Sequence, residues 1–272
     1  MTGSGTQSDP FVPITLTEFI EAVGTSGAYV ALDRDIDAAE DPNYGGELTA
    51  PIYINATSVN GNRYEVCGVT VRAANLIWFQ GSNVDIYDIF LYDWAHKRTS
   101  DSSCTILGHN FSRNKLHDCL LSIKVDCGGH SGEIVSQAAF YTCALSILMI
   151  DAASGIQINT TVFDTTTLLV DGMDLRNSQS FYGTPFTRSA LILKNAIMIS
   201  GGAFIYDCGG TGAYIAFLDG LDGTINMSNF LGQYCLAVAP QGQQMTLTTA
   251  IQQATFDQMK DKDWLASVGF LP

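Results

Sequence analysis

One kind of phrase recurs along this chain, a short apolar run that ends in aspartate, and it restricts the fold more than any other feature. The phrase occupies residues 89–93, 123–126, 148–151, 168–171, 204–207 and 214–219. Its copies often follow one another at roughly 20 to 25 residues, or at a looser multiple of that spacing. A unit of this length cannot bury its apolar face alone, so the copies must stack on one another. The recurrence therefore predicts a solenoid built from similar coils.

The polar composition favours strands and turns over helices. Aspartate far outnumbers glutamate among the 27 acidic residues, and short polar side chains bond to their own backbone in turns. Short strand-like segments follow one another from about Ile52 to Ala239. An antiparallel sandwich would show the same short strands, but it would need two-residue Asn-Gly or Asp-Gly hairpin turns, which are few here. We therefore predict an all-β chain that folds as a parallel β-helix, with the sandwich as the alternative.

A helix is predicted just before the first strand. Thr15 stands three residues before Glu18, which is the spacing of a capping box, and apolar residues continue to Val23 before a stop near Gly24. A strand-like run begins at Ala28. This order of short helix, glycine turn and strand resembles the entry to a pectate-lyase-like right-handed parallel β-helix, the class that includes phage tail-spike proteins. The resemblance implies an N-terminal α-helical cap over an otherwise open coil. No diagnostic catalytic motif of that family accompanies it.

The chain divides into three predicted parts. Residues 1–13 are polar and rich in glycine, which predicts a flexible N-terminal arm. Residues 14–240 form the predicted β-helix domain with its cap helix, over which the resemblance extends. Residues 241–272 form a C-terminal cap or docking segment, either as a last coil or as a helix. This segment carries an apolar set that we predict to cap the solenoid or to contact a partner: Trp264, Leu265, Phe270 and Leu271.

Charge and apolar runs exclude several classes of protein. A formal charge of −14 with scattered Lys and Arg argues against a nucleic-acid partner. The longest apolar stretch, around residues 144–150, is too short to cross a bilayer, so we expect no membrane insertion. The N-terminus lacks the pattern of a secretory signal, so we expect the protein to be synthesised in a host cytoplasm. The seven cysteines are then expected to be reduced, and Cys119, Cys143 and Cys235 to pack in the core. No metal and no cofactor are expected.

Candidate catalytic residues come from aspartates near turns. Glycan hydrolases use pairs of carboxylates, so we select three clusters: Asp126 with His130, Asp171 with Asp174 and Arg176, and Asp85 with Asp88 and Asp93. A lyase would need a basic residue as well, and Lys124 is one candidate. Ordinary turn chemistry explains the same residues, since the sequence Asp-Cys-Gly-Gly at residues 126–129 recurs at residues 207–210.

Aromatic residues offer a second hypothesis for a site. Trp78, Tyr92 and Trp94 fall in a stretch where aromatic side chains alternate partly inward and partly outward, so they predict either core packing or a platform that stacks on sugars. The histidines His96, His109 and His117 lack the spacing of metal ligands and are predicted to be surface or packing residues.

Taken together, these patterns predict a virion component of the tail-spike, fibre or decoration type, structural or receptor-binding and without catalytic activity. The resemblance implies a homotrimer. The arm and the C-terminal tail are the expected attachment points for other virion proteins, and a host surface glycan is a further expected partner. The alternative is a polysaccharide hydrolase or lyase that acts on such a glycan. A third hypothesis is an intracellular assembly scaffold.

Overall fold

The structure is a computed structural model. It describes residues 1–99, 107–109, 114–130, 132–136, 138–151, 156–159, 161–173, 181–182, 184, 186–194, 205–206, 209–218, 225–227, 231–233, 235–240, 244–247, 249 and 251–268.

Three long parallel sheets form the body of the described fold. Sheet 1 contains the strands Tyr29–Ala31, Ser58–Asn60, Asp85–Tyr87, Asn114–His117, Ala138–Tyr141, Val162–Asp164 and Phe186–Thr187. Sheet 2 contains Ile52–Ile54, Ile77–Phe79, Leu107–His109, Gly132–Ser136, Ile156–Asn159, Phe181–Tyr182 and Ile205–Tyr206. Sheet 3 contains Ile36–Asp37, Glu65–Cys67, Phe90–Arg98, Leu120–Asp126, Ala144–Ile150, Thr167–Asp171, Ala190–Lys194, Tyr214–Phe217, Cys235–Val238 and Ile251–Ala254, with Thr70–Ala73 beside Phe90–Arg98.

Two further pairs of strands lie outside these sheets. Gly209–Thr211 pairs with Leu231–Gln233, and Ile225–Met227 pairs with Met245–Leu247, again in parallel. The remaining elements are the helices Leu16–Gly24 (α1) and Lys262–Ser267 (α2) and the short 3₁₀ helices Ala38–Glu40 and Gln258–Lys260. Neither α1 nor α2 has the length and apolar character needed to cross a membrane, within the ranges described.

The chain visits the sheets in turn, so each strand pairs with the strand one coil later. All pairings between named strands are parallel, which confirms the predicted β-solenoid and excludes the antiparallel sandwich. Side chains alternate along each strand, and the inward set forms one continuous apolar core. Stacking in register places like residues above one another, as in Leu121, Leu145 and Leu168 of sheet 3.

The recurring phrase that ends in aspartate mostly marks strands of sheet 3. The strands Leu120–Asp126, Ala144–Ile150 and Thr167–Asp171 contain or adjoin it. Two differences appear in the structure. The copy at residues 204–207 falls on Ile205–Tyr206 of sheet 2, and the sheet 3 strand Ala190–Lys194 has no aspartate. The aspartate is thus a common strand ending rather than a requirement of the coil, since side chains at this end are solvent-accessible.

The predicted cap helix is confirmed as α1. Thr15 is its N-cap, and its side chain accepts a hydrogen bond from Glu18 N at 3.2 Å. Glu18 in turn accepts from Ile14 N at 2.9 Å. The apolar side of α1 is buried at Leu16 and Phe19, as well as at Ala22 and Val23. This side covers the first coil, as expected for an end that would otherwise expose its interior.

Residues 1–13, the predicted flexible arm, form backbone hydrogen bonds with the first coil. Phe11 N donates to Tyr29 O at 2.9 Å, and Ala31 N donates to Phe11 O at 2.9 Å. Tyr29 N also donates to Gly5 O, and the N-terminal ammonium pairs with Glu18. The segment therefore completes the edge of the first strand of sheet 1. Polar composition alone did not reveal this because the contacts are made by the backbone.

The C-terminal segment contains both structures that the sequence left open. Ile251–Ala254 pairs with Cys235–Val238, so the stack of coils continues past residue 240. Helix α2 follows, with Asp261 as its N-cap. Leu265 of this helix is only 8% exposed. Its side chain is therefore already covered within one chain, whereas Trp264 is half-buried and Phe270 and Leu271 lie outside the described residues.

Candidate functional site

A repeated turn connects sheet 1 to sheet 3 and organises the surface beside it. At five successive coils one residue of this turn has a left-handed backbone, with φ between 48° and 56°: Asp88, Asp118, Thr142, Thr165 and Arg188. Such a backbone conformation is unfavourable for residues other than glycine. It is supported by hydrogen bonds to the next coil, such as Asp118 N to Tyr141 O at 3.0 Å and Thr142 N to Asp164 O at 3.0 Å.

The residue just before each of these turns points outward from sheet 1. Strand pairing brings Tyr87, His117 and Tyr141 into register in three successive coils. We call these three residues the outer column. The rings of Tyr87 and His117 are stacked, with centroids 5.0 Å apart and an angle of 1° between their planes. Each ring therefore covers one face of the other, while both side chains remain partly exposed to solvent.

Carboxylates flank the imidazole of the outer column on both sides. His117 Nδ1 lies 2.9 Å from Asp118 Oδ2, and His117 Nε2 lies 3.4 Å from Asp85 Oδ1. The His117 side chain is about a third exposed, and both aspartate side chains are more exposed than that. An imidazolium would interact with both carboxylates, whereas a neutral ring donates through one nitrogen only.

An open groove runs beside the outer column. Its volume is about 410 Å³, and it is lined by Asn83, Val84, Asp85, Lys115, Ala139 and Tyr141. Asp85, Lys115 and Ala139 are themselves in register, two residues before the outer column on the same strands. The groove therefore combines a carboxylate, an ammonium and a phenol with the polar edges of the outer column.

A second polar cluster surrounds Asp126 on the outside of sheet 3. Asp126 is in register with Lys97, which is in register with Arg72. Glu47 joins both cations, at 2.7 Å from Lys97 Nζ and 2.7 Å from Arg72 Nε. Lys97 and Arg72 hold the pKa of Glu47 below its usual value. Opposite charges are thus already paired within this cluster.

Asp126 and Asp171, the first residues of two of the predicted clusters, lie apart from each other. Asp126 Oδ1 accepts from Gly128 N at 3.1 Å, as in ordinary turn chemistry, and Gly128 and Gly129 both have positive φ. Asp171 lies 3.4 Å from Lys194 Nζ. Two coils separate Asp126 from Asp171, which is about 10 Å along the stack, and register places them in different columns. Hydrolases hold their pair at about 5 to 9.5 Å.

The remaining candidates from the sequence are Asp174, Arg176, His130 and Lys124. Asp174 and Arg176 lie outside the described residues. His130 N donates to Cys127 O at 2.8 Å at the end of the Asp126 turn. Lys124 is exposed on the outside of sheet 3.

The predicted sugar platform is also divided among three environments. Trp78 is on sheet 2, and Tyr92, which is 54% exposed, is on sheet 3. Trp94 is only 2% exposed, and its Nε1 donates to Val66 O at 2.7 Å. Trp94 is a core residue and cannot stack on an external ligand. These three residues share a stretch of sequence, but neighbouring sequence positions turn to different sides of the solenoid.

His117, predicted from the sequence to be a surface or packing residue, is a member of the outer column, which its sequence context alone did not reveal. A signal was present. The chain repeats a pattern of apolar residue, outward residue, turn residue and buried residue at positions 86–89, 116–119, 140–143, 163–166 and 186–189. Aligning these five segments would have placed Tyr87, His117 and Tyr141 in one column. Among the residues that the structure describes, no group of three or more His, Cys, Asp or Glu side chains could hold a metal ion.

Comparison with known proteins adds little to this geometry. No family model matches the sequence, and no curated protein matches it. A crystal structure from Bacteroides ovatus, of a protein provisionally named an immunoglobulin A1 protease, matches 97% of this chain and 89% of its own at 10% identity, with a TM-score of 0.48.

Proposed function

We propose that this protein is a structural and receptor-binding component of a virus particle, of the tail-spike or fibre type, and that it binds a host surface glycan along the outer column. The virion part of the proposal rests on the resemblance of the sequence to pectate-lyase-like β-helix proteins. The glycan part rests on one observation, the stacked Tyr87 and His117 rings beside an open groove.

Periodicity connects this observation to a polymer. The polar edges of the outer column repeat once per coil, at the spacing of neighbouring strands. A ligand that repeats along its own length can present equivalent hydroxyl groups to successive coils. The carboxylates of Asp85 and Asp118 accept hydrogen bonds from hydroxyl groups, and Lys115 donates them. A linear polysaccharide repeats along its length and carries hydroxyl groups that donate and accept hydrogen bonds.

Charge limits the class of polysaccharide. The protein carries a formal charge of −14, and Asp85, Asp118 and Asp164 lie on or next to the outer column. A strongly anionic glycan would be repelled by this surface. We therefore propose neutral or amino-sugar polysaccharides as ligands.

The test is a binding assay of the full chain against purified bacterial surface polysaccharides, neutral, amino-sugar and anionic. We expect binding to members of the first two groups. Tyr87→Ala and His117→Ala should each raise Kd at least tenfold, because each removes polar contacts made once per coil. Tyr53→Ala is the control, since Tyr53 is an exposed tyrosine on a different face, sheet 2.

Two results would overturn the proposal. One is the absence of binding to every polysaccharide by the wild-type chain. The other is binding that survives Tyr87→Ala and His117→Ala but is lost in Tyr53→Ala, which would place the ligand on another face.

The proposal includes a homotrimer in the virion, synthesised in host cytoplasm and held by other virion proteins. Exposed leucines on the outside of sheet 3, Leu120 and Leu148, supply apolar surface that self-association would bury. Light scattering of the purified chain measures the molar mass directly. A trimer that dissociates in Leu148→Glu supports this assembly, and a wild-type monomer contradicts self-association.

A second candidate function is polysaccharide hydrolysis at the same place. The observation that favours it is the pair of carboxylates, Asp85 and Asp118, on opposite nitrogens of the His117 ring. Hydrolysis would release reducing ends from a bound polysaccharide, and Asp118→Asn would abolish that release while binding persists. Binding without product release would assign the protein to the non-catalytic function.

A further inference from the structure

Two cysteines occupy equivalent positions in adjacent coils. Cys119 follows the left-handed residue Asp118, and Cys143 follows the left-handed residue Thr142. The residues after them, Leu120 and Ala144, are partners in sheet 3, and Ala144 N donates to Cys119 O at 2.9 Å. Neighbouring strands are about 4.8 Å apart. That separation lies within the 4.4 to 6.8 Å between Cα atoms that a disulfide spans.

The two side chains also point to the same place. Cys119 Sγ donates to His117 O at 3.2 Å, and Cys143 Sγ donates to Leu116 O at 3.3 Å. These two acceptors are consecutive carbonyl groups of one strand. Both sulfur atoms are therefore held at the same strand end, on the inner side of the turn, and both cysteines are nearly fully buried.

The thiols influence each other's protonation. The contact with Cys143, together with burial, raises the pKa of Cys119 far above its usual value. The pKa of Cys143 is lowered, and the neighbouring Cys119 is the main cause. Two negative charges cannot be accommodated so close together in a buried site. The first thiolate therefore forms on Cys143 while Cys119 remains protonated.

A route to these sulfur atoms exists from solvent. An open groove of about 380 Å³ lies over the turn, and both cysteines line it together with Asp118, Leu120 and Thr142. A small oxidant can reach the pair through this groove without unfolding a coil. Cys235, by contrast, is buried and does not line this groove.

We propose that Cys119 and Cys143 form an oxidation site that accepts a small peroxide and closes to a disulfide between adjacent coils. Cys143 thiolate attacks one oxygen of hydrogen peroxide, the O–O bond breaks, and hydroxide leaves as water after protonation, which converts Cys143 to a sulfenic acid. Cys119 sulfur then attacks Cys143 sulfur, the S–S bond forms, the S–O bond breaks, and a second water leaves with the Cys119 proton. The two sulfur atoms together lose two electrons, and the peroxide gains them.

The disulfide would restrict the unfolded chain. It closes a loop of roughly 24 residues, and a cross-link of that length limits the conformations of the unfolded state more than those of the native state. We expect Tm to rise by about 5 to 10 °C on oxidation and to return on reduction. This proposal rests on the geometry of the two thiols and does not depend on glycan binding.

The experiment treats the folded full chain with hydrogen peroxide, blocks remaining thiols with an alkylating reagent, and identifies peptides by mass spectrometry. We expect a linked peptide pair that contains Cys119 and Cys143 and disappears after dithiothreitol. Cys119→Ser and Cys143→Ser should each abolish the pair and the shift in Tm. Serine and threonine fill the equivalent positions of later coils, at Thr166 and Ser189, so both variants are compatible with folding. Cys235→Ser is the control that keeps the link.

The proposal is overturned if both cysteines remain open to alkylation, after unfolding, in peroxide-treated wild-type protein. It is also overturned if the recovered disulfides join either cysteine to a different thiol. The Tm of the wild-type chain provides a measurement that needs no variant, since an unchanged Tm after complete oxidation of the pair contradicts the predicted stabilisation.

Discussion

Sheet 1 has two aromatic columns, one on each side, and they differ in what surrounds them. On the inner side Phe140, Phe163 and Phe186 are fully buried, with ring centroids 5.3 and 5.1 Å apart. On the outer side Tyr87 and His117 stack at 5.0 Å beside an open groove. Both columns have the same origin, because parallel strands in register place equivalent side chains one strand spacing apart.

Stacking alone therefore does not distinguish a stabilising column from a binding surface. The inner phenylalanines exclude water on all sides and contribute their apolar burial to folding. The outer rings retain solvent at their edges, and their polar atoms remain able to bind a ligand. The histidines show the same contrast, since His96 is buried in sheet 3 and His117 is about a third exposed on sheet 1.

Removing a ring from the middle of the inner column should give the largest effect. Phe163→Ala leaves a cavity between Phe140 and Phe186, and large-to-small changes of this kind cost about 3 to 5 kcal/mol. Chemical denaturation followed by circular dichroism measures the loss. Tyr87→Ala is the matched change in the outer column, and we expect it to cost less than about 1 kcal/mol. Equal losses in the two variants would erase the distinction between the columns.

Acid should destabilise the protein through the buried histidine. Burial lowers the pKa of His96 to about 4, and its Nε2 lies 3.1 Å from Ala73 O. The unfolded chain, with a histidine pKa of about 6.5, binds a proton that the folded chain does not. Stability is therefore lost as pH falls from about 6.5 to about 4, by about 3 kcal/mol for this group.

The measurement is the free energy of unfolding at several pH values across that window. His96→Gln, which keeps an N–H donor for the Ala73 carbonyl, should weaken the dependence of the unfolding free energy on pH. His117→Gln replaces the outer imidazole and should leave that pH dependence in place. A wild-type stability that stays constant between pH 6.5 and 4.5 would contradict the contrast between the two histidines.

A smaller loss of stability is expected at Thr166, where the buried turn residues form hydrogen bonds with each other. Cys143 N donates to Thr166 Oγ1 at 3.2 Å, and Thr166 Oγ1 lies 3.0 Å from Asp164 O. Thr166→Val keeps the shape but leaves this buried N–H without its acceptor, which costs about 1 to 3 kcal/mol. Thr166→Ser keeps the hydroxyl and is the control. Denaturant midpoints of the two variants that agree would show that the hydroxyl contributes nothing.

The smallest effect on stability is expected at an exposed ion pair, Arg188 with Asp164, next to the outer column. Arg188 lies 2.8 Å from Asp164 and holds the pKa of that carboxyl below its usual value. The pair therefore contributes stability above the unfolded aspartate pKa of about 3.9, and this contribution is lost as pH falls through the lowered folded value. Because the Arg188 side chain is largely exposed, Arg188→Ala should cost less than about 1 kcal/mol at neutral pH.

Salt provides the check on that expectation. The difference between wild type and Arg188→Ala should shrink further at 1 M salt, where exposed charges are screened over about 3 Å. A difference that grows with salt, or that exceeds the cost of Phe163→Ala, would contradict the view that outer contacts contribute little to stability.

Much of the fold could be predicted from local patterns. The spacing of apolar runs predicted a stack of coils, and Thr15 with Glu18 predicted the cap helix. The alternation of side chains did not predict which aromatic residues share a surface. Tyr92 and Trp94 are two positions apart, yet the strand Phe90–Arg98 has consecutive exposed residues at Tyr92 and Asp93, and the pairing shifts register opposite them. This irregularity moves Trp94 into the core.

The stack of short strands, the helix that covers the open end of the first coil and the burial of cysteines could all be predicted from the sequence. These features follow from local preferences and from the need to bury apolar surface. Which residues meet across coils, such as Tyr87 with His117 and Cys119 with Cys143, depends on strand pairing in the folded chain. The connections between strands differ in length from coil to coil, so equivalent positions are set by this pairing and not by a constant count along the chain.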